Sequence, residues 1–203
     1  MDPSTSVVLA VIALQYNPDT LSRTLQIQAL PGGNDGVRVD VLRLRGPAIE
    51  TLKIDAELDA TDQLESPSRF PNTGRFGLHP QLAQLEMLVN PSVETLLADD
   101  RMASLGTLEI IPLEQPITLF IWSSSRVVPI RLTEFNITEE AFDANLNPIR
   151  AKVSLGMRVL SVDDLGFQHP GGRMYMSYLS NKESLAAKVA SVPLTTLGLG
   201  RLP

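Results

Sequence analysis

The sequence predicts a mainly β fold with helices added, and three observations carry that reading. In residues 49–59, IETLKIDAELD, Leu52, Ile54, Ala56 and Leu58 fall on one face and Lys53, Asp55, Glu57 and Asp59 on the other, the two-residue period of a half-solvated strand. From Leu113 to residue 162 the pattern is extended almost throughout, apolar runs alternating with polar turns. One central helix announces itself near Pro80, where proline at the first helical position forfeits no hydrogen bond.

The elements follow in order. Residues 7–14, VVLAVIAL, read as a buried strand ended by the Asn17-Pro18-Asp19 turn. A weaker extended segment carries Leu21, Leu25 and Ile27, and residues 31–36, PGGNDG, form a plain loop, lacking the Lys-Ser/Thr of a phosphate cradle. After the strand at 49–59, residues 66–77 are rich in Pro, Gly, Ser and Asn and read as a long loop. The helix at Pro80 aligns Leu78, Leu82, Leu85 and Val89 on one stripe, Asn90-Pro91 interrupts it, and a short helix over 92–99 takes Ser92 as its N-cap. Residues 117–122 are apolar on both faces, and Ser123-Ser124-Ser125 turns the chain toward Val128, Ile130 and Leu132, whose face Phe135 and Ile137 continue. Residues 149–162 make the longest run, with Ala151, Val153, Leu155, Met157 and Val159 on one side and Arg150, Lys152 and Arg158 on the other. Some thirteen extended residues span on the order of 40 Å, about twice a usual strand. Part of this ribbon is therefore expected to pair outside its own subunit. The tail turns at 169–172 and forms a helix over 173–189, with Met174, Tyr178, Leu185 and Val189 as its apolar contacts, before an irregular end. The organisation expected is a β domain over 1–166 and a C-terminal helical extension and tail over 167–203.

Composition limits the function classes. With 203 residues, 43% of them apolar, the chain can bury one substantial core. The net charge of −6 is spread along the chain without a basic stripe, which argues against nucleic acid as a partner. Cysteine is absent, so disulfides and thiolate metal sites are excluded. The apolar run at 7–14 follows Asp2 rather than a basic region, lacks a small-residue cleavage pattern and is too short to span a bilayer, so neither an export signal nor membrane insertion is expected.

No catalytic, cofactor-binding or metal-ligating set stands out. His79 and His169 each precede a proline and read as turn residues, outside any spacing that presents two ligands on one helix face. The pairs Asp99-Asp100, Glu139-Glu140 and Asp163-Asp164 are sequence neighbours, whereas hydrolytic carboxylates must face each other across a substrate. The serine triplet lacks a Gly-x-Ser-x-Gly elbow. Arg131, Arg150, Lys152 and Arg158 make a cationic strand face, which can line a channel, form pairs between chains or simply be solvated.

Three stretches, YNPDTLSRTLQ (16–26), LRLRGPAIETLKIDAELDATDQLE (42–65) and the whole of 116–166 from PITLFIW to SVDDLG, read in that order, resemble the tube-type baseplate protein of extracellular contractile injection systems, the phage-tail-like particles. The resemblance covers most of 7–166 and is most specific over 117–166. It implies a phage tail-tube-like β-barrel or sandwich with a long β-hairpin and a central helix, and a non-enzymatic role without cofactors. Six copies would form a ring that joins the spike hub to the inner tube, assembled in the bacterial cytoplasm as part of a particle that is either released or retained. The implied partners are further copies of the chain, the spike hub protein, the inner tube protein and a baseplate wedge or LysM-type protein. Many members carry a C-terminal LysM domain, and the residues after Gly166 show no LysM pattern. In such proteins the long hairpin reaches beyond its own barrel, which makes Glu139, Glu140, Phe142, Asn145, Asn147 and Pro148 the expected assembly contacts. An inner-tube or tube-terminating subunit of the same particle is the first alternative. The other is a carbohydrate-binding or hydrolytic baseplate module, against which stand a single Trp and three dispersed Tyr.

Overall fold

The computed structural model describes residues 1, 7–29, 43–104, 115–190 and 196. Five strands, β1 (Leu21–Gln26), β2 (Ile49–Asp59), β3 (Thr118–Ser123), β4 (Arg126–Phe142) and β5 (Pro148–Val159), form one antiparallel sheet in the order β1-β2-β5-β4-β3. The sheet curls into a half-barrel. Among the described residues there are six helices, α1 (Thr61–Leu64), α2 (Pro71–Phe76), α3 (His79–Glu86), α4 (Val93–Ser104), α5 (Val162–Leu165) and α6 (Pro170–Ala186). Among the described residues helix and strand are about equal in number, so the class is mixed α and β rather than mainly β.

The core follows the strand periodicity. Leu58, Ala56, Ile54 and Leu52 of β2 register against Ala151, Val153, Leu155 and Met157 of β5, and all eight are buried. On β4 the apolar face changes parity, from Val128, Ile130 and Leu132 to Phe135 and Ile137. The cause is a bulge: Leu132 registers with Met157 but Glu134 with Gly156, so Thr133 is the extra residue that returns Phe135 and Ile137 to the core side. Gly156 is required there, because a Cβ would sit 2.8 Å from the Glu134 Cβ. Leu78, Leu82 and Leu85 of the α3 region cover one part of the core, while Tyr175 and Tyr178 of α6, in the expected C-terminal extension, enter the same cluster.

Several expectations are corrected. Residues 7–14 are not a strand: most are exposed, and only Ile12 and Leu14 pack on the core. Bilateral burial needs a neighbour on each side, which this segment lacks among the described residues. The expected loop at 66–77 contains α2, with Pro71 in its first turn and Thr73 buried and hydrogen-bonded to Gln63. Ser92 does accept the Thr95 N–H at 3.1 Å, but α4 continues to Ser104, and Val89 is exposed. The longest strand is β4, with 17 residues, rather than β5 with 12. Helix α6 begins at Pro170, not 173, because the His169 ring nitrogen Nδ1 caps it by accepting the Gly171 N–H. Its buried residues are Gly171, Gly172, Tyr175 and Tyr178, whereas Leu185 and Val189 face outward. The loop at 31–36 and all of the last stretch but residues 190 and 196 lie outside the described residues.

Gly172 sets how closely the first turn of α6 packs on the end of α5, since a Cβ there would lie 1.9 Å from the Gly166 carbonyl oxygen. Backbone cannot yield as a side-chain tip does. Gly172→Ala is expected to cost about 2–3 kcal/mol by forcing the helix away. An unchanged urea midpoint would show that this contact does not govern the packing.

Candidate assembly surface

The β4–β5 hairpin is the first feature to place. Its ladder keeps one register from Phe142↔Pro148 to Glu134↔Gly156, broken only at Ala141, whose φ is +51°. The five-residue tip, 143–147, is organised by Asp143, whose Oδ1 accepts the N–H groups of Asn145 at 2.7 Å and Asn147 at 2.8 Å. The Asn147 side chain donates to the other carboxylate oxygen at 2.8 Å. Those bonds, that of the Asn147 side chain first, hold the Asp143 carboxyl below the usual carboxylate range.

The six expected contact residues divide into two groups. Asn147 and Pro148 face their own chain: the Asn147 amide donates to the Arg75 carbonyl at 3.2 Å, Pro148 is fully buried, and its carbonyl accepts the Leu78 N–H at 2.8 Å. These two moor the base of the tip to α2 and α3. Glu140 is paired with Lys152 at 2.9 Å, and Glu139 and Asn145 are polar members of the hairpin. Phe142, 48% exposed, remains a presented aromatic, and sequence reading missed its neighbour Leu146, which is 75% exposed with φ of +63°. A leucine in the left-handed region at a loop tip costs roughly 1–2 kcal/mol in local strain. Leu146→Gly is therefore expected to raise fold stability by about 0.5–1 kcal/mol while weakening any assembly contact the side chain makes. Thermal unfolding and self-association, measured on one sample, separate the two effects.

The cationic face is balanced within the chain. Arg150 pairs with Asp59 at 2.9 Å, Lys152 with Glu140, and Arg158 with Asp164 at 2.6 Å, while Arg131 registers across from Arg158. Lys53 and Glu134 add a looser pair at 3.6 Å, and Ser154 donates to Asp55. Exposed pairs of this kind are worth about 0–1 kcal/mol each, so the face is a hydrophilic wall of mixed charge.

Among the described strands the sheet has open edges. β1 has β2 as its only strand neighbour and β3 has only β4, and β3 covers β4 no further than Ile130, leaving the outer edge of residues 131–142 unpaired among the described strands. Large apolar side chains stand exposed on both end strands, Leu25 on β1 and Ile121 and Trp122 on β3, with Ile121 66% exposed. Natural sheets seldom leave such edges bare.

One further cluster escaped sequence reading. Glu50 shares the parity of Leu52 and Ile54 and is 3% exposed. It accepts from Arg23 of β1 at 2.7 Å, Lys182 of α6 at 2.9 Å and the Tyr178 hydroxyl at 3.1 Å. Burial pushes this carboxyl up, but the hydrogen bonds and charges of Lys182 and Arg23 outweigh it and hold the group below its ordinary value. The signal available was a glutamate in phase with a buried face. The cluster fastens α6 to the first two strands, a structural task.

Among the described residues no group of three or more His, Asp or Glu side chains is placed to hold a metal ion, and no helix is long and apolar enough to cross a membrane. Surface depressions beside Arg69 and Pro80 and over Gly156 are open to solvent. No protein-family model matches the chain, and no curated protein matches it either.

Proposed function

We infer that this chain is a structural protein, a ring-forming baseplate subunit that joins the spike hub to the inner tube of a contractile injection particle. The observation that carries this reading is the curled antiparallel sheet with open, apolar-studded edges. A half-barrel of this kind is incomplete alone, and head-to-tail joining of copies removes every edge when the ring closes. The mixed-charge outer face gives such a ring a hydrophilic surface, and the Phe142 and Leu146 tip projects two apolar contacts toward the next layer, the hub or the tube. The resemblance over 117–166 supports the same assignment. In this reading the protein is not an enzyme, its partners are further copies of itself, the hub, the tube and a wedge or LysM-type protein, and assembly takes place in the bacterial cytoplasm.

Negative-stain images of particles made with and without this chain test the assignment. Loss of the hub-to-tube junction and stalled tube growth are the expected result. Full-length tubes seated on hubs in its absence would overturn it. A label on the chain that decorates the whole tube or its far end would replace the adaptor with an inner-tube or terminating subunit.

A further inference from the structure

The described N-terminal residues, Met1 and 7–15, touch the sheet at two places. At one end Met1 and Ile117 exchange two backbone hydrogen bonds of 2.8 Å, at the start of β3. At the other, the Gln15 side chain accepts the Asp59 N–H at 2.8 Å, at the end of β2, and Ile12 and Leu14 press on the core. Between these anchors, no backbone group of residues 8–14 is hydrogen-bonded to another backbone group among the described residues. Val8, Leu9 and Val11 are exposed, Val11 by 78%. The segment is uncharged and rich in β-branched residues, which suits a strand. Unpaired backbone and exposed apolar side chains are both satisfied by one event, the addition of this span to a sheet edge.

We propose that residues 8–14 form an intersubunit strand, added to the open β3 edge of a second copy of this chain. The inference rests on the ring reading and names the seam that builds it. The chain's own β3 cannot take the whole span while Gln15 stays anchored. Gln15 is held at Asp59, which registers with Arg150, while Thr118 at the start of β3 registers with Ile130 and through it with Val159. Those nine steps along β5 amount to roughly 30 Å, whereas the seven residues from Gln15 back to Val8 extend at most about 25 Å. Charge and shape favour β3 over the other end strand. Residues 115–125 contain no charged side chain and present Ile121 and Trp122, partners for the Val and Leu of the span, whereas β1 carries Arg23 committed to Glu50. Each copy has one span and one β3 edge, so the contact is heterologous and repeats around a closed ring.

The test uses the full chain, which has no cysteine of its own. Chains carrying Leu9→Cys or Val11→Cys are mixed with chains carrying Ile121→Cys or Ser123→Cys and oxidised. A disulfide-linked dimer that needs both partners is expected in at least one mixture and not with Leu25→Cys on β1. In parallel, Val8→Lys with Val11→Lys should melt as the wild type does, both side chains being exposed, yet self-associate at least about tenfold more weakly. If the wild type assembles while the double variant assembles equally well, or while the span crosslinks only to β1 or to neither edge, the strand assignment falls and the ring reading stands. A wild type that stays monomeric at every concentration overturns both.

Discussion

Replacing Arg23 and Lys182 together with Met is expected to destabilise the protein by about 3–5 kcal/mol, because it strands the Glu50 carboxylate without its cations. The carboxylate is 3% exposed and would keep only the Tyr178 hydroxyl as a partner. Adding Glu50→Gln to that background should recover part of the loss, since a neutral amide avoids the charge penalty. Recovery of nothing would show that the methionines act by misfit rather than through the buried charge. The wild type should also show the cluster in its acid limb. The Glu50 carboxyl is lowered from the usual 4.5 in the fold, so its contribution is fully present above that value and is lost as the pH falls through the lower folded value. Urea unfolding followed from neutral to acid pH reads this directly. The double variant should lose stability less steeply on acidification than the wild type.

Leu155→Asp is expected to abolish folding. Leu155 is buried at the centre of the sheet, opposite Ile54 on one side and Phe135 on the other. Losing its packing costs about 2–5 kcal/mol, and an unpaired carboxylate at that depth costs several more, together comparable to the roughly 5–15 kcal/mol stability of a whole domain. Circular dichroism with thermal unfolding should show no cooperative transition. A soluble variant that melts cooperatively would mean that this face of β5 is not core.

The sheet was legible in the sequence where one face is wet. β2 and β5 alternate because their outer residues meet solvent and their inner residues meet the α3 and α6 regions, and side-chain alternation reports that division directly. Even the parity change between Leu132 and Phe135 could be followed by keeping the apolar residues on one face, which is what the bulge at Thr133 achieves. Residues 7–14 misled because an unbroken apolar run normally signals burial on both sides, and here most of its side chains are exposed. Glu50 was invisible for the opposite reason: its partners come from β1 and from α6, 27 and 132 residues away, and no local pattern encodes a pairing over that distance. At the hairpin, periodicity located the ribbon and its turn. Which tip residues look outward and which moor the turn depends on Arg75 and Leu78 of the α2–α3 region, contacts set by the tertiary fold.

The central claim is that an open half-barrel becomes a closed ring by joining copies of itself. Electron microscopy of the purified, concentrated protein, with images averaged without imposed symmetry, tests it most directly. The account predicts discrete rings with sixfold repetition and a central opening, in which the sheets of adjacent copies are continuous. Particles no larger than one chain, or open fibres that never close, would contradict it.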